Sequence, residues 1–194
     1  TGHEKIPETG AAVFVCNHVS FVDWLIIAGA VRRPLRFVMD HRIAGAPVVS
    51  MLFKQGKTIP IAPEHQDKAL MQRAFERIAQ ELRAGEVVCI FPEGKLTKSG
   101  ELNTFRAGIE RIVRETPVPV VPMALKGLWG SMFSRKTRTG VLRPRAFRSP
   151  LELIISDPIP PEQVTAAGLQ ERVLALLGEA AQVPLAAQAA LDRS

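Results

Sequence analysis

Residues 13–24 read VFVCNHVSFVDW. A run of strand-forming residues stops at Asn17-His18, and an aspartate follows five positions after the histidine. On a continuous helix, residues five apart are separated by about 140°, so His18 and Asp23 meet only if His18 sits on a turn and Asp23 in the first helical turn. Ser20 with Asp23 three residues later is a capping-box pattern, and Val19 with Trp24 suits the accompanying hydrophobic staple; together they predict a helix starting at Ser20. Asp23 then has two readings. In one it accepts the Ser20 backbone N–H as part of the cap, and His18 is a partly buried polar residue. In the other it binds one imidazole nitrogen, fixes the tautomer, and leaves the second nitrogen to take a proton from a hydroxyl. That hydroxyl can belong to a substrate, so no serine nucleophile is needed. The spacing leaves both readings open.

Outward from this turn, strand and helix signals alternate. The run AAVFVC (11–16) predicts a buried strand, and FVDWLIIAGAV (21–31) a largely buried helix stopped by the basic, proline-bearing RRP. LRFVM (35–39) predicts a strand, VVSMLFKQ (48–55) a short helix capped by Gly56, and KTIPIA (57–62) an extended piece. The clearest helix is 66–84, where Met71, Phe75, Ile78 and Leu82 form one stripe ahead of Gly85. VVCIF (87–91) predicts the next strand. It is followed by a polar loop, a helix near 106–115 that must stop by Pro117, and a strand at 119–125. LELIIS (151–156) predicts a last strand, and a final helix runs from Pro161 to about Leu177. Strands separated by helices imply an α/β domain with a mostly parallel sheet flanked by helices. In such sheets, sites form at the carboxyl ends of strands, which selects Asn17-His18 and Pro92-Glu93-Gly94.

Composition narrows the function. The 194-residue chain is 46% hydrophobic and 23% charged, with a net charge of +6. Such a chain folds, and its charge favours an anionic partner: nucleic acid, a phospholipid surface, or a phosphorylated or CoA-like substrate. A nucleic-acid module is disfavoured because there is no Tyr, aromatics are only 6%, and no basic-aromatic interleaving occurs. Cys16 and Cys89 lie inside apolar runs and are expected to be reduced core residues. His3, His18, His41 and His65 lack close spacing, so no metal site is expected. No apolar run approaches the roughly 18–20 residues of a membrane-spanning helix. The start at Thr1-Gly2-His3-Glu4 suggests a piece excised from a longer protein. Residues 1–183 are expected to form the domain and the Ala-rich 184–194 a frayed tail.

The second selected place, FPEGKLTKSGE (91–101), offers the Glu93 carboxylate, a glycine for a tight turn, Lys95 and Lys98, and Thr97 and Ser99 among exposed amides. A loop of this kind suits an anionic head group, although an ordinary solvated connection has the same composition.

Taken together, Asn17-His18 with Asp23, and Phe91-Pro92-Glu93-Gly94, resemble the signature of the glycerolipid acyltransferases, the 1-acylglycerol-3-phosphate acyltransferases and their relatives. The proline-bearing VPVVPMAL strand is similar to a further block of that family, and the resemblance runs from about residue 11 to about 157. It implies a glycerol-3-phosphate acyltransferase-like single domain and a direct acyl transfer. The donor would be acyl-CoA or acyl carrier protein and the acceptor a lysophospholipid, most simply 1-acylglycerol-3-phosphate, in phospholipid synthesis or recycling. His18 would be the general base and Asp23 its orienting partner. Asn17, Ser20, Phe91, Pro92, Glu93, Gly94, Lys95 and Thr97 would bind substrate. Amides of the loops at 17–20 or 94–96 would hold the oxyanion. No cofactor and no metal are implied. The alternatives are acylation of lysophosphatidylethanolamine, or a soluble thioesterase-like hydrolase that gives the acyl group to water.

Two departures bear on the acceptor. Many members of the family carry an arginine, thought to hold the acceptor phosphate, where this chain has Pro63, with only Lys57 nearby. After Phe-Pro-Glu-Gly, many continue Thr-Arg-Ser, whereas here Lys95-Leu96-Thr97-Lys98 follows, which is similar to acyltransferase segments fused to lysophospholipid transporters. The segment 131–148 carries Arg135, Lys136, Arg138, Arg143, Arg145 and Arg148 without an acid, with Met132, Phe133 and Phe147 between them. It predicts docking on an anionic membrane surface at the cytoplasmic face, peripherally or tethered through regions outside this chain.

Overall fold

The computed structural model describes residues 1–43, 58–128 and 151–179. Six strands form one sheet in the order β3-β2-β4-β1-β5-β6: β1 (Ala12–Cys16), β2 (Leu35–Asp40), β3 (Thr58–Ile61), β4 (Val87–Ile90), β5 (Val120–Lys126) and β6 (Glu152–Ile155). All neighbours are parallel except β5 and β6, which pair antiparallel with Met123 opposite Ile155. The sheet edge at β6 is covered by the chain's own start. The Thr1 amino group donates to Leu153 O, and Ile155 N donates to Thr1 O.

Helices α1 (Asp23–Ala30), α2 (Lys68–Arg83), α3 (Gly108–Glu115) and α4 (Ala166–Glu179) complete the layers. The five residues of β1 are wholly buried because both faces of this central strand are covered. Val13 and Val15 point into a core built with Ile78, Ile109 and Leu169 of α2, α3 and α4. Phe14 and Cys16 point into the opposite core with Trp24 and Ile27 of α1. Near-continuous apolar runs are what a strand covered on both faces requires. Each fully buried Val or Phe contributes about 1.5–3 kcal/mol by leaving water.

Most predicted elements are present, with shifted ends. The helix expected at 66–84 starts after Asp67, whose carboxylate accepts Leu70 N, and it closes at Gly85, with φ 84°. The final helix begins at Ala166, not Pro161. Pro161–Gln163 form a separate 3-10 turn, and the Thr165 hydroxyl accepts Gly168 N, which makes Thr165 the cap. The first helix is less buried than expected: Asp23, Trp24 and Ile27 are covered, while Phe21 just before it and Leu25 on it are each about half exposed, at 52% and 53%. An apolar helix that meets the sheet on one stripe leaves its other apolar residues outside. The helix expected at 48–55 with its Gly56 cap, Lys57, the basic segment 131–148 and the tail 184–194 lie outside the described residues.

The connections place the site. From β1 the chain crosses over β4 by way of α1 to reach β2, and from β4 it crosses over β1 by way of α3 to reach β5, with α1 and α3 on opposite faces. The adjacent strands β1 and β4 therefore send their following loops to opposite sides of the sheet, which opens a crevice at their carboxyl ends.

Candidate active site

The turn after β1 is held from three directions. Asn17, 2% exposed, behaves like one more strand residue: its Nδ2 donates to Leu125 O at 3.0 Å and its Oδ1 accepts Leu125 N at 2.7 Å. His18 N then donates to Glu93 Oε1 at 2.6 Å, while His18 O accepts Thr97 N at 3.0 Å. Asp23, fully buried, gathers three donors on one oxygen. Its Oδ2 accepts Val19 N at 2.7 Å, Ser20 N at 2.9 Å and His18 Nδ1 at 2.9 Å.

The hydrogen bonds of both readings of Asp23 are thus present at once, because the oxygen that accepts the Ser20 amide also accepts the imidazole. The expected helix start is corrected by the same bonds. Residues 18–20 wrap round the carboxylate, so they cannot follow the helix axis, and α1 begins at Asp23 itself. A carboxylate only accepts, so Nδ1 is the donor, and in the neutral imidazole Nε2 keeps its lone pair. The imidazole is 23% exposed and stacks on Phe91, with ring centroids 4.3 Å apart and planes 19° from parallel. Asp23 Oδ1 is buried with no partner among the described residues.

The loop between β4 and α3 supplies the other wall. Gly94 N donates to Phe91 O, and Gly94 adopts φ 63° to make the turn. This reverses the chain and drives Glu93 inward, to 1% exposure. Both Glu93 oxygens are taken: Oε1 by His18 N, and Oε2 by Asn103 N at 2.8 Å and Asn103 Nδ2 at 2.6 Å. Burial pushes the Glu93 carboxyl above its ordinary value, and the bonds from Asn103 and His18 oppose that rise. Thr97 is buried and braces the loop, its hydroxyl donating to Glu101 O and accepting Gly100 N. The loop is closed at its far end by Arg106 N, which donates to Pro92 O at 3.0 Å.

His18, Phe91, Pro92, Gly94 and Lys95 line a cavity of about 740 Å³, whose walls are largely apolar and include Phe21 and Trp24. Asn17 and Glu93 border a smaller one of about 250 Å³. The predicted site residues therefore fall into two groups. Phe91, Pro92, Gly94 and Lys95 face the large cavity beside His18. Asn17, Ser20, Glu93 and Thr97 are buried, and they direct polar atoms to the protein itself. The amides proposed for an oxyanion narrow in the same way. His18, Val19, Ser20, Gly94 and Thr97 N–H groups are bonded within the protein, leaving those of Lys95 and Leu96 unengaged among the described residues of these loops.

Asn103 was not legible beforehand. It lies ten residues past Glu93 in a polar loop, and no spacing rule singles it out. Arg106, which also lines the large cavity, was hidden because it sits at the mouth of a predicted helix.

Comparison with known proteins gives a consistent picture. The family model described as Acyltransferase matches residues 1–126. A probable 1-acyl-sn-glycerol-3-phosphate acyltransferase of Mycoplasma pneumoniae is 29% identical over 166 residues, 81% of this chain and 60% of that protein. A lyso-ornithine lipid O-acyltransferase of Pseudomonas aeruginosa is 31% identical over 113 residues, 58% of this chain and 42% of that one. Among solved structures, the 1-acyl-sn-glycerophosphate acyltransferase PlsC from Thermotoga maritima superimposes with a TM-score of 0.75 at 21% identity, covering 95% of this chain and 72% of its own. The chain thus spans less than two thirds of the length of these two sequence relatives.

Proposed function

We propose that this chain, which belongs to the acyltransferase family, moves a fatty acyl group from an acyl thioester to the free hydroxyl of a lysophospholipid, with 1-acylglycerol-3-phosphate as the favoured acceptor. The observation that carries this reading is the His18 imidazole: buried Asp23 holds its Nδ1, and its Nε2 is left to a large apolar cavity. Nε2 takes the proton of the acceptor hydroxyl as its oxygen attacks the thioester carbonyl. A C–O bond forms, the C–S bond breaks, and the imidazolium returns its proton to the leaving thiolate. Asp23 supports the transient positive charge on the ring. The amides of Lys95 and Leu96, which have no partner among the described residues, are candidate donors to the oxyanion. Glu93, Asn103, Asn17 and Thr97 serve as positioning residues, because they grip the backbone on which the base is mounted.

The apolar walls of the cavity suit acyl chains. The exposed Phe21 and Leu25 beside it, with the net charge of +6, suit work at an anionic membrane surface. No helix among the described residues is long and apolar enough to cross a membrane. We place the chain at the cytoplasmic face of the membrane, peripherally or tethered through regions outside this chain. Vesicle flotation tests this. Binding should require anionic lipid, weaken steeply with salt, and fall when Arg135, Lys136 and Arg138 are all changed to glutamate; salt-insensitive binding would remove the basic segment from this role.

Mass spectrometry of products tests the activity. A panel of lysophospholipids, including lysophosphatidylethanolamine, is offered with acyl-CoA and separately with acyl carrier protein. Diacyl product that depends on the lysolipid supports the transfer. Free fatty acid released at the same rate with or without an acceptor would identify a hydrolase instead.

A further inference from the structure

Helix α4 lies beyond residues 1–126, the part matched by the family model, and none of its residues lines the large cavity. Two side-chain bonds nevertheless tie it to the segment that leads from the β4 loop into α3. Ala166 N donates to Glu110 Oε1 of α3 at 2.8 Å, and Gln170 Oε1 accepts Phe105 N at 2.9 Å. Residues 166 and 170 are four apart and so share one face of the helix. The Phe105 ring is buried in the same core as Leu169 and Val173 of α4.

The place of the Phe105 bond matters. Residues 103–106 belong to no strand or helix, so their amides need partners from elsewhere. Asn103 N donates to Glu93 Oε2 and Arg106 N to Pro92 O, both within the loop. Phe105 N, between them, is held from outside the loop. Asn103 also donates its Nδ2 to Glu93 Oε2, and the other oxygen of Glu93 accepts His18 N. A side chain on α4 thus leads, by way of Asn103 and Glu93, to the backbone of the base. The helix does not depend on this bond for its own position. Leu169, Val173 and Leu176 are buried in the core, and the Thr165 hydroxyl caps the helix start. Removal of the Gln170 acceptor therefore releases the loop rather than the helix.

Resting on the proposed acyl transfer, we infer that Gln170 is a further positioning residue for the reaction, fixing the segment 103–106 to α4 so that Asn103 and Glu93 hold the backbone of His18 in register. Gln170 touches no substrate. Its carbonyl oxygen anchors the loop on a helix that the core already holds, and Asn103 then presents both of its donors to Glu93. Proton transfer requires the imidazole to lie within hydrogen-bond reach of the acceptor hydroxyl, so a small shift of its mounting is costly in rate. The effect belongs to kcat rather than to substrate binding, because α4 contributes no wall to the large cavity.

Steady-state kinetics of Gln170→Leu and Gln170→Glu, with acyl-CoA and a short-chain, water-soluble lysophosphatidate, test this. Thr165→Ala is the control, since it weakens the start of α4 without touching Phe105 N. The expected result for Gln170→Leu is a kcat per folded molecule lowered about tenfold, with both KM values little changed. Gln170→Glu should recover most of the rate, because its carboxylate still accepts Phe105 N. Thr165→Ala should melt earlier and keep its kcat. Combined with Asn103→Ala, Gln170→Leu should lower kcat by less than the product of the two single effects, since both act through one loop. An unchanged kcat in folded Gln170→Leu overturns the assignment, as does an equal fall in Thr165→Ala or a fully multiplicative double variant. Should Gln170→Leu fail to fold, Gln170→Asn, whose acceptor is drawn back by one methylene, is judged by the same criteria. If wild type acylates no lysolipid at all, the proposed function fails by itself. Hydrogen exchange of the His18 amide then decides the anchoring role: faster exchange in Gln170→Leu than in both wild type and Thr165→Ala upholds it, and equal exchange rejects it.

Discussion

The turn Asn17–Asp23 and the loop Phe91–Arg106 meet at one histidine and are organised in contrary ways. The turn is short and carries the proposed base, and its central bonds join residues three to five apart: His18, Val19 and Ser20 all converge on Asp23. The loop is long and bears the support. Its decisive bond, from His18 N to Glu93, joins residues 75 apart. On the proposed mechanism, the contrast teaches that the base is made reactive locally and held in place from a distance. Loss of the first should end turnover with little effect on the fold, whereas loss of the second should loosen both.

The sharpest test of that division is His18→Ala. Product formation should fall by about 10²–10⁴-fold, while the melt stays close to wild type because the ring is partly exposed and fills little of the core. Near-normal turnover would end the contrast altogether.

Asp23→Asn comes next and separates the two duties of one oxygen. The amide's carbonyl can still accept Val19 N and Ser20 N, but it supports no positive charge on the imidazole. Turnover should drop by about 10²-fold or more with at most a modest loss of stability. Asp23→Ala should lose both, since two backbone amides are then buried without a partner. If Asp23→Asn instead melts early and turns over normally per folded molecule, Asp23 is only a cap.

On the supporting side, Asn103→Ala withdraws the side-chain donor to Glu93 Oε2 without touching the turn. Loss of a hydrogen bond to a charged group is worth about 1.5–3 kcal/mol, so this variant should unfold earlier by that order. Its turnover should fall less than that of Asp23→Asn. Equal losses in the two variants would mean that the loop takes part in the chemistry. Gly94→Ala should cost about 1–2 kcal/mol for a left-handed residue, and in addition displace the Arg106 side chain.

The smallest effect concerns pH. Burial raises the Glu93 carboxyl above its unfolded value. Its contribution to stability is therefore full below the ordinary glutamate range and is lost as pH rises through the raised folded value. Urea melts of wild type and Glu93→Gln across the acidic range should show the wild-type advantage shrinking as pH increases. A growing advantage would mean that the bonds from His18 and Asn103 outweigh burial.

Much of this molecule follows from its sequence alone. The alternation of apolar runs with amphipathic stretches was enough for the α/β layering, since a strand covered on both faces and a helix covered on one each impose their own period. A meeting of His18 with Asp23 was legible as one of two readings of the spacing, and the resemblance to the glycerolipid acyltransferases favoured it. Tertiary structure decided the rest. Whether Asp23 capped a helix or oriented a base had no local answer; the folded turn aims both donors at one oxygen and moves the helix start from Ser20 to Asp23. Glu93, expected among the substrate-binding residues, has both oxygens occupied once β4 lies beside β1, and Asn103 gains its place only there. Arg106 is an ordinary helix-mouth arginine until Pro92 and Gly94 seat it beside the cavity. Local periods and turn chemistry operate over a few residues and can be read along the chain, whereas bonds between loops depend on which strands become neighbours, and that is settled by packing the whole sheet.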